Sequence, residues 1–171
     1  RAKLESLVDD LVARTIEPVD WDSEETGKGE YEHYMRKEID EQPNALSNTL
    51  QGRVDPDAGE ISLSEVPADL LDGIDQVQFL ACGTSYHASM YAAQLLTNQD
   101  IPASAFRASE YLVSGAPVTE DTLVVAVTQS GETADTLGAL REAQRRGART
   151  LTVTNVVGST AAREADEALF I

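Results

Sequence analysis

Between Val127 and Ala134 stand Thr128, Gln129, Ser130, Gly131, Glu132 and Thr133, a run with four hydroxyl or amide side chains in six positions. Such groups donate hydrogen bonds without carrying charge. Ser130 stands where a helix N-cap belongs, with Thr133 three residues later. A helix start presents unpaired backbone N–H groups and the positive end of its dipole, so the cluster suits an anion, most simply a phosphate. The cluster is denser than capping alone requires, and the excess points to a binding loop.

A second, smaller cluster, Gly83, Thr84 and Ser85, follows an apolar run that ends at Cys82. Ser85 is expected at the start of another helix. Neither loop contains Lys or Arg, so neutral donors and helix dipoles would carry the binding. The chain has no Gly-Lys-Ser/Thr ending of a P-loop and no G-x-G-x-x-G. Neither serine stands in G-x-S-x-G, and no His lies near Ser130 in sequence. Cys82 reads as a small core residue rather than a nucleophile, because no base is placed beside it. His87 falls in the first turn of its helix, where positive charge is disfavoured, and reads as structural. His33 lies off its helix's apolar stripe and reads as a surface residue.

These loops need strands and helices to hold them. From Val77 onward the pattern alternates. Strands are expected at Val77–Cys82, Pro102–Arg107, Leu123–Val127, Thr150–Thr154 and from Ala168. Helices are expected at Tyr86–Asn98, Ser109–Ser114, Glu132–Arg146 and up to Glu164, with Gly147 as an αL stop. Alternation with short connections predicts an α/β fold, a parallel sheet covered by helices on both faces. In the flavodoxin-like order 2-1-3-4-5, strands one and three are neighbours and their helices leave on opposite faces. Ligands bind at that switch point, so the two hydroxyl-rich loops would meet there.

Ahead of the sheet the pattern is helical. Arg1–Ala13 reads as a short amphipathic helix, and Thr15–Thr26 as an extended linker anchored by Trp21. Tyr31–Gln42 reads as a helix with Glu32–Arg36 and Lys37–Glu41 pairs. Pro43 would open a second helix to Leu50. Gly52–Gly59 reads as a loop, and Ser64–Leu71 as a short helix. The expected organisation is an N-terminal segment and linker at 1–30, a helical lead-in at 31–72, and a ligand-binding module at 73–171 that continues past the last residue.

Thirty acidic residues oppose thirteen basic ones across 171 residues, a net charge of −17. That balance repels nucleic acid. No apolar run approaches the roughly 20 residues of a membrane helix. The single cysteine excludes an internal disulfide, no Cys/His cluster suggests a metal, and a reducing cytoplasm is the expected home. The acids are spread along the chain, which suits a protein kept hydrated in concentrated salt. At about 1 M salt the Debye length is about 3 Å, and surface repulsion is largely screened. The melting temperature is therefore expected to rise with added KCl, and a flat or falling curve would contradict the salt-adapted reading.

CGTSYHA at Cys82–Ala88 and TQSGETADTL at Thr128–Leu137 closely resemble the sugar-isomerase (SIS) family. HYMRKEIDEQPNAL at His33–Leu46 and TNVVGSTAAREAD at Thr154–Asp166 narrow the resemblance to the first SIS module of the glutamine–fructose-6-phosphate aminotransferases (isomerising). It covers about Val19 to Ile171 and leaves Arg1–Ala13 unmatched.

The resemblance implies a five-stranded α/β fold that binds fructose 6-phosphate. It places Ser85, Thr128, Gln129, Ser130 and Thr133 around the phosphate, and Cys82, Gly83 and Thr84 along the sugar. Thr128 departs from the commoner Ser there but keeps the hydroxyl. Members of the family open the sugar ring, add ammonia made from glutamine, and isomerise the product to glucosamine 6-phosphate, with no cofactor. The resemblance implies a homodimer in the full-length protein. It also implies a glutaminase domain before this span and a second SIS module after it, carrying a Schiff-base Lys, a Glu base and a partner-subunit His. No catalytic residue is then expected in this span. The alternative from another class is a non-catalytic SIS module that senses sugar phosphates. A nucleotide binder on the same sheet remains a third option, without a ribose- or base-reading motif in the sequence.

Overall fold

The computed structural model describes residues 27–171 apart from Gly115. The amphipathic stretch Arg1–Ala13, the linker Thr15–Thr26 and Trp21 lie outside the described residues. Two compact units meet in sequence between Leu50 and Gln51.

The first unit contributes helix α1, Tyr34–Leu50, which buries none of its residues and carries Pro43 inside. The expected break at Pro43 does not occur. Proline lacks the N–H that would bond four residues back and costs about 3 kcal/mol in a helix interior, yet the backbone runs through as one helix. Arg36 pairs with Asp40 at 3.0 Å rather than with Glu32, while Lys37 meets Glu41 at 3.6 Å as its spacing suggests.

The second unit opens with a small hairpin where only a loop was expected. β1 (Val54–Asp55) pairs antiparallel with β2 (Glu60–Ile61). Asp55 builds the turn, because its carboxylate accepts the N–H groups of Asp57 and Ala58, both at 3.0 Å. Strands of two residues are too short to show an alternation. Only Ala68–Leu71 of the expected Ser64–Leu71 helix forms, as a 3-10 turn.

The parallel sheet follows. Its strands are β3 (Gln76–Ala81), β4 (Ala103–Arg107), β5 (Thr122–Val127), β6 (Arg149–Thr154) and β7 (Glu167–Phe170). Their order is β4-β3-β5-β6-β7, which is the expected 2-1-3-4-5. The helices are α2 (Gly83–Thr97), α3 (Ala108–Ser114), α4 (Ala134–Arg145) and α5 (Thr160–Glu164). Gly147, with φ of +91°, ends α4 as expected. No helix among the described residues is long and apolar enough to cross a membrane.

Strand side chains alternate between two faces, and the core divides accordingly. Val77, Phe79, Leu123 and Val125 pack with Ala93 of α2 on one face. Leu80 and Val124 pack with Ala108 and Tyr111 of α3 and with Ala139 and Ala143 of α4 on the other. The helices after the first and third strands of the sheet thus lie on opposite faces, and the connections leading into them face each other across the switch point.

The α4 face also buries threonines. Thr150 shares Asp166 through its backbone N–H and its hydroxyl, both at 2.8 Å. Thr154 donates to Gln129 O at 3.1 Å. Thr152, fully buried between them, has no hydrogen-bond partner for its hydroxyl among the described residues. An unsatisfied buried hydroxyl costs about 1–3 kcal/mol, whereas valine has nearly the same shape. Thr152→Val is expected to stabilise the fold by about 1 kcal/mol, read as a higher urea midpoint. A lower midpoint would contradict this reading of Thr152.

Candidate functional site

The two loops share one hollow of about 290 Å³. It is lined by Cys82, Gly83, Thr84 and Ser85 on one side and by Val127, Thr128, Gln129, Ser130, Thr133 and Thr136 on the other. Every candidate residue from the sequence is on that wall, including Ser85 and Ser130. Val127 and Thr136 are additions. Thr136 is one turn into α4, and its hydroxyl lies 3.9 Å from Cys82 Sγ, bridging the two sides.

The helix starts differ from expectation. Helix α4 has Thr133 as its N-cap, not Ser130. Ser130 instead accepts the Glu132 N–H at 3.2 Å, two residues on. That local turn delays the helix by three residues, since short hydroxyl side chains compete for backbone donors. Helix α2 begins earlier than expected, at Gly83, with Cys82 as its N-cap. Ser85 therefore sits inside its first turn.

Neither cap side chain bonds its own helix: Cys82 and Thr133 both lack a side-chain cap bond. Ser159 of α5, by contrast, accepts the Ala162 N–H at 3.4 Å. The first N–H groups of a helix have no intrahelical partner. At the two helices that open onto the hollow, the cap side chains leave those donors available. The Thr133 hydroxyl is 3.5 Å from the buried Thr128 hydroxyl, which also accepts the Gly131 N–H at 3.3 Å. Hydroxyls, amides and two positive dipole ends thus face one small volume, which is the chemistry of an anion site.

The loop from Thr128 to Thr133 is latched from behind by the segment after β6. Gln129 O accepts the Asn155 N–H at 3.2 Å and the Thr154 hydroxyl at 3.1 Å. Gly131 O accepts the Ala161 N–H at 3.0 Å. The Glu132 carboxylate accepts the Thr160 N–H at 2.8 Å, and that bond holds Glu132 below the usual carboxylate pKa. Glu132 thus stays ionised at the start of α5, where negative charge is favoured. Sequence reasoning did not find this latch, because its partners lie some thirty residues downstream.

Gly131 is where the two segments come closest. Its φ is +67°, and a Cβ there would lie 2.1 Å from the Ser159 hydroxyl oxygen and 2.3 Å from its Cβ. Gly83, also in the left-handed region at +57°, opens instead onto empty space.

Comparison with known proteins agrees with this geometry. The SIS domain family matches residues 70–171. A glutamine–fructose-6-phosphate aminotransferase (isomerizing) of Halobacterium salinarum is 52% identical over 162 residues, covering 94% of this chain and 27% of that protein. The Symbiobacterium thermophilum protein of the same name is 48% identical over 98% of this chain and 28% of its own length. The chain therefore spans about a quarter of the curated relatives it matches. Among solved structures, the C-terminal domain of glucosamine-fructose-6-phosphate aminotransferase from Francisella tularensis superposes with a TM-score of 0.75. It is 38% identical and covers 85% of this chain and 41% of that one. An Escherichia coli CFT073 protein solved in complex with a sugar phosphate, 20% identical, shares the fold with a TM-score of 0.63 over 80% of this chain and 71% of its own. With the family match over more than half of its residues and the sheet order in agreement, the chain belongs to the SIS domain family.

Proposed function

We propose that this chain is the phosphate-gripping SIS module of an isomerising glutamine–fructose-6-phosphate aminotransferase. In this reading it binds fructose 6-phosphate within a larger protein that makes glucosamine 6-phosphate with ammonia from glutamine. One observation carries the reading: two helix starts, neither capped by its own side chain, open onto one hydroxyl-lined hollow. The phosphate takes N–H bonds from both turns and hydroxyl bonds from Ser85, Thr128, Ser130 and Thr133, with Gln129 beside it. The sugar lies along Cys82, Gly83 and Thr84. Residues 1–30 and 31–72 act as linker and lead-in, and residues 73–171 as the module. The bond-making groups are supplied by parts of the protein outside this span, and the assembled protein is a cytoplasmic homodimer. The chain alone binds sugar phosphate without turning it over.

Thermal shift with fructose 6-phosphate, fructose and AMP tests the reading. Only the sugar phosphate is expected to raise the melting temperature. A shift with AMP instead would favour a nucleotide site. Ser130→Ala removes one hydrogen bond to a charged group, worth about 1.5–3 kcal/mol. Because Ser130 is exposed, the expected loss in affinity is at the lower end, about tenfold. Unchanged affinity by calorimetry would remove Ser130 from the site.

A further inference from the structure

A second hollow, of about 410 Å³, lies beside the first and shares Cys82, Gly83 and Thr84 with it. Its remaining walls are Tyr86, His87, Arg107 and Ser109. Arg107 is the last residue of β4 and so belongs to the same carboxyl edge of the sheet as the first hollow. The register pairs Ala81 with Arg107 on one side and with Val127 on the other. Those two positions are two strand spacings apart, about 9.6 Å. That distance is comparable to the length of an extended six-carbon sugar.

The guanidinium of Arg107 is held by a ring. Its central carbon lies 5.3 Å from the centroid of Tyr86. Stacking fixes the plane of the guanidinium and leaves its N–H edge for another partner. Its one ion pair among the described residues is a 3.7 Å contact with Glu110, in which both side chains are more than half exposed. Such a pair contributes little. Among the described residues no hydrogen bond occupies the guanidinium. The Ser109 hydroxyl and the His87 imidazole add donors to the same wall. In a chain with a net charge of −17, a fixed cation at the ligand-binding edge is a local reversal of sign.

We propose that the second hollow takes a second phosphate group, so that the two hollows together hold one sugar phosphorylated at both ends. A phosphate matches the planar fork of Arg107 through two parallel N–H bonds. The proposal rests on the reading of the first hollow as a phosphate site.

Calorimetric titration with fructose 6-phosphate and with fructose 1,6-bisphosphate, in low salt, tests it. The bisphosphate is expected to bind about fivefold tighter, the scale of one half-exposed ion pair. Arg107→Ala should abolish that advantage and leave fructose 6-phosphate affinity unchanged. Arg107→Lys should keep part of it, and about 1 M KCl should shrink it through screening. If fructose 6-phosphate binds but the bisphosphate gains nothing, or keeps its gain in Arg107→Ala, the second-phosphate proposal is overturned and the proposed function stands. If neither ligand binds, both are overturned.

Discussion

Gly131→Ala is expected to be among the most damaging single-methyl changes in this protein. A non-glycine residue at φ of +67° costs about 1–2 kcal/mol for the left-handed backbone alone. The new methyl would also sit within 2.3 Å of both Cβ and Oγ of Ser159, far inside contact distance. Forced overpacking costs about 1–3 kcal/mol more. The sum, about 2–5 kcal/mol, falls on the loop that carries Gln129, Ser130 and Thr133. Relief requires the loop to part from Ser159, which would strain the Ala161–Gly131 bond at 3.0 Å. Denaturant unfolding should show the loss of stability, and any remaining folded protein should have lost sugar-phosphate binding. Ser159→Gly in the same chain removes the clash but not the backbone cost, so it should restore part of the stability. A Gly131→Ala protein with native stability and affinity would refute the close-approach account of this loop.

Tyr111→Ala should be comparably severe for the fold and should act away from the hollow. Tyr111 is 2% exposed on the α4 face of the sheet. It meets Phe106 edge-on, with ring centroids 5.6 Å apart. Its hydroxyl donates to Gln78 Oε1 at 2.9 Å, and Gln78 Nε2 in turn donates to Pro117 O. Removing the ring is expected to cost about 3–5 kcal/mol. Tyr111→Phe keeps the packing but leaves a buried carbonyl oxygen without its donor, about 1–3 kcal/mol. Burial also raises the Tyr111 pKa above its ordinary 10.0. The neutral phenol is therefore favoured in the folded state. Its contribution is fully present below pH 10.0 and is lost as pH rises through the higher folded value. Tyr111→Phe should flatten that alkaline part of the stability profile, and an unchanged profile would contradict a buried, neutral Tyr111.

The sheet was legible because its signal is repetitive. The five strands lie within one residue or so of their apolar runs, and alternation along Val77–Ala81 and Leu123–Val127 sorts their side chains onto two faces. The ligand edge followed from the strand order, and with it the meeting of Ser85 and Ser130 in one hollow. Helix starts were less legible. At Ser130 a local hydroxyl turn competes with capping, and at Gly83 a residue read as loop opens the helix. Pro43 misled because its cost is local, whereas the helix around it runs for seventeen residues. The latch from Thr154, Asn155 and Thr160 is a contact between distant segments, which periodicity does not report. Arg107 carried a usable signal, a cation closing a strand at the carboxyl edge of a parallel sheet, but it lies outside the two hydroxyl-rich loops.

The central claim is that neutral donors at two helix starts grip a phosphate, and it can be read amide by amide. In a titration of isotope-labelled protein with fructose 6-phosphate, followed by nuclear magnetic resonance, the largest backbone N–H shifts should cluster at 83–86 and 130–135. Fructose at the same concentrations should leave both groups where they were. Shifts that fall elsewhere in the chain, or that fructose reproduces, would contradict the account.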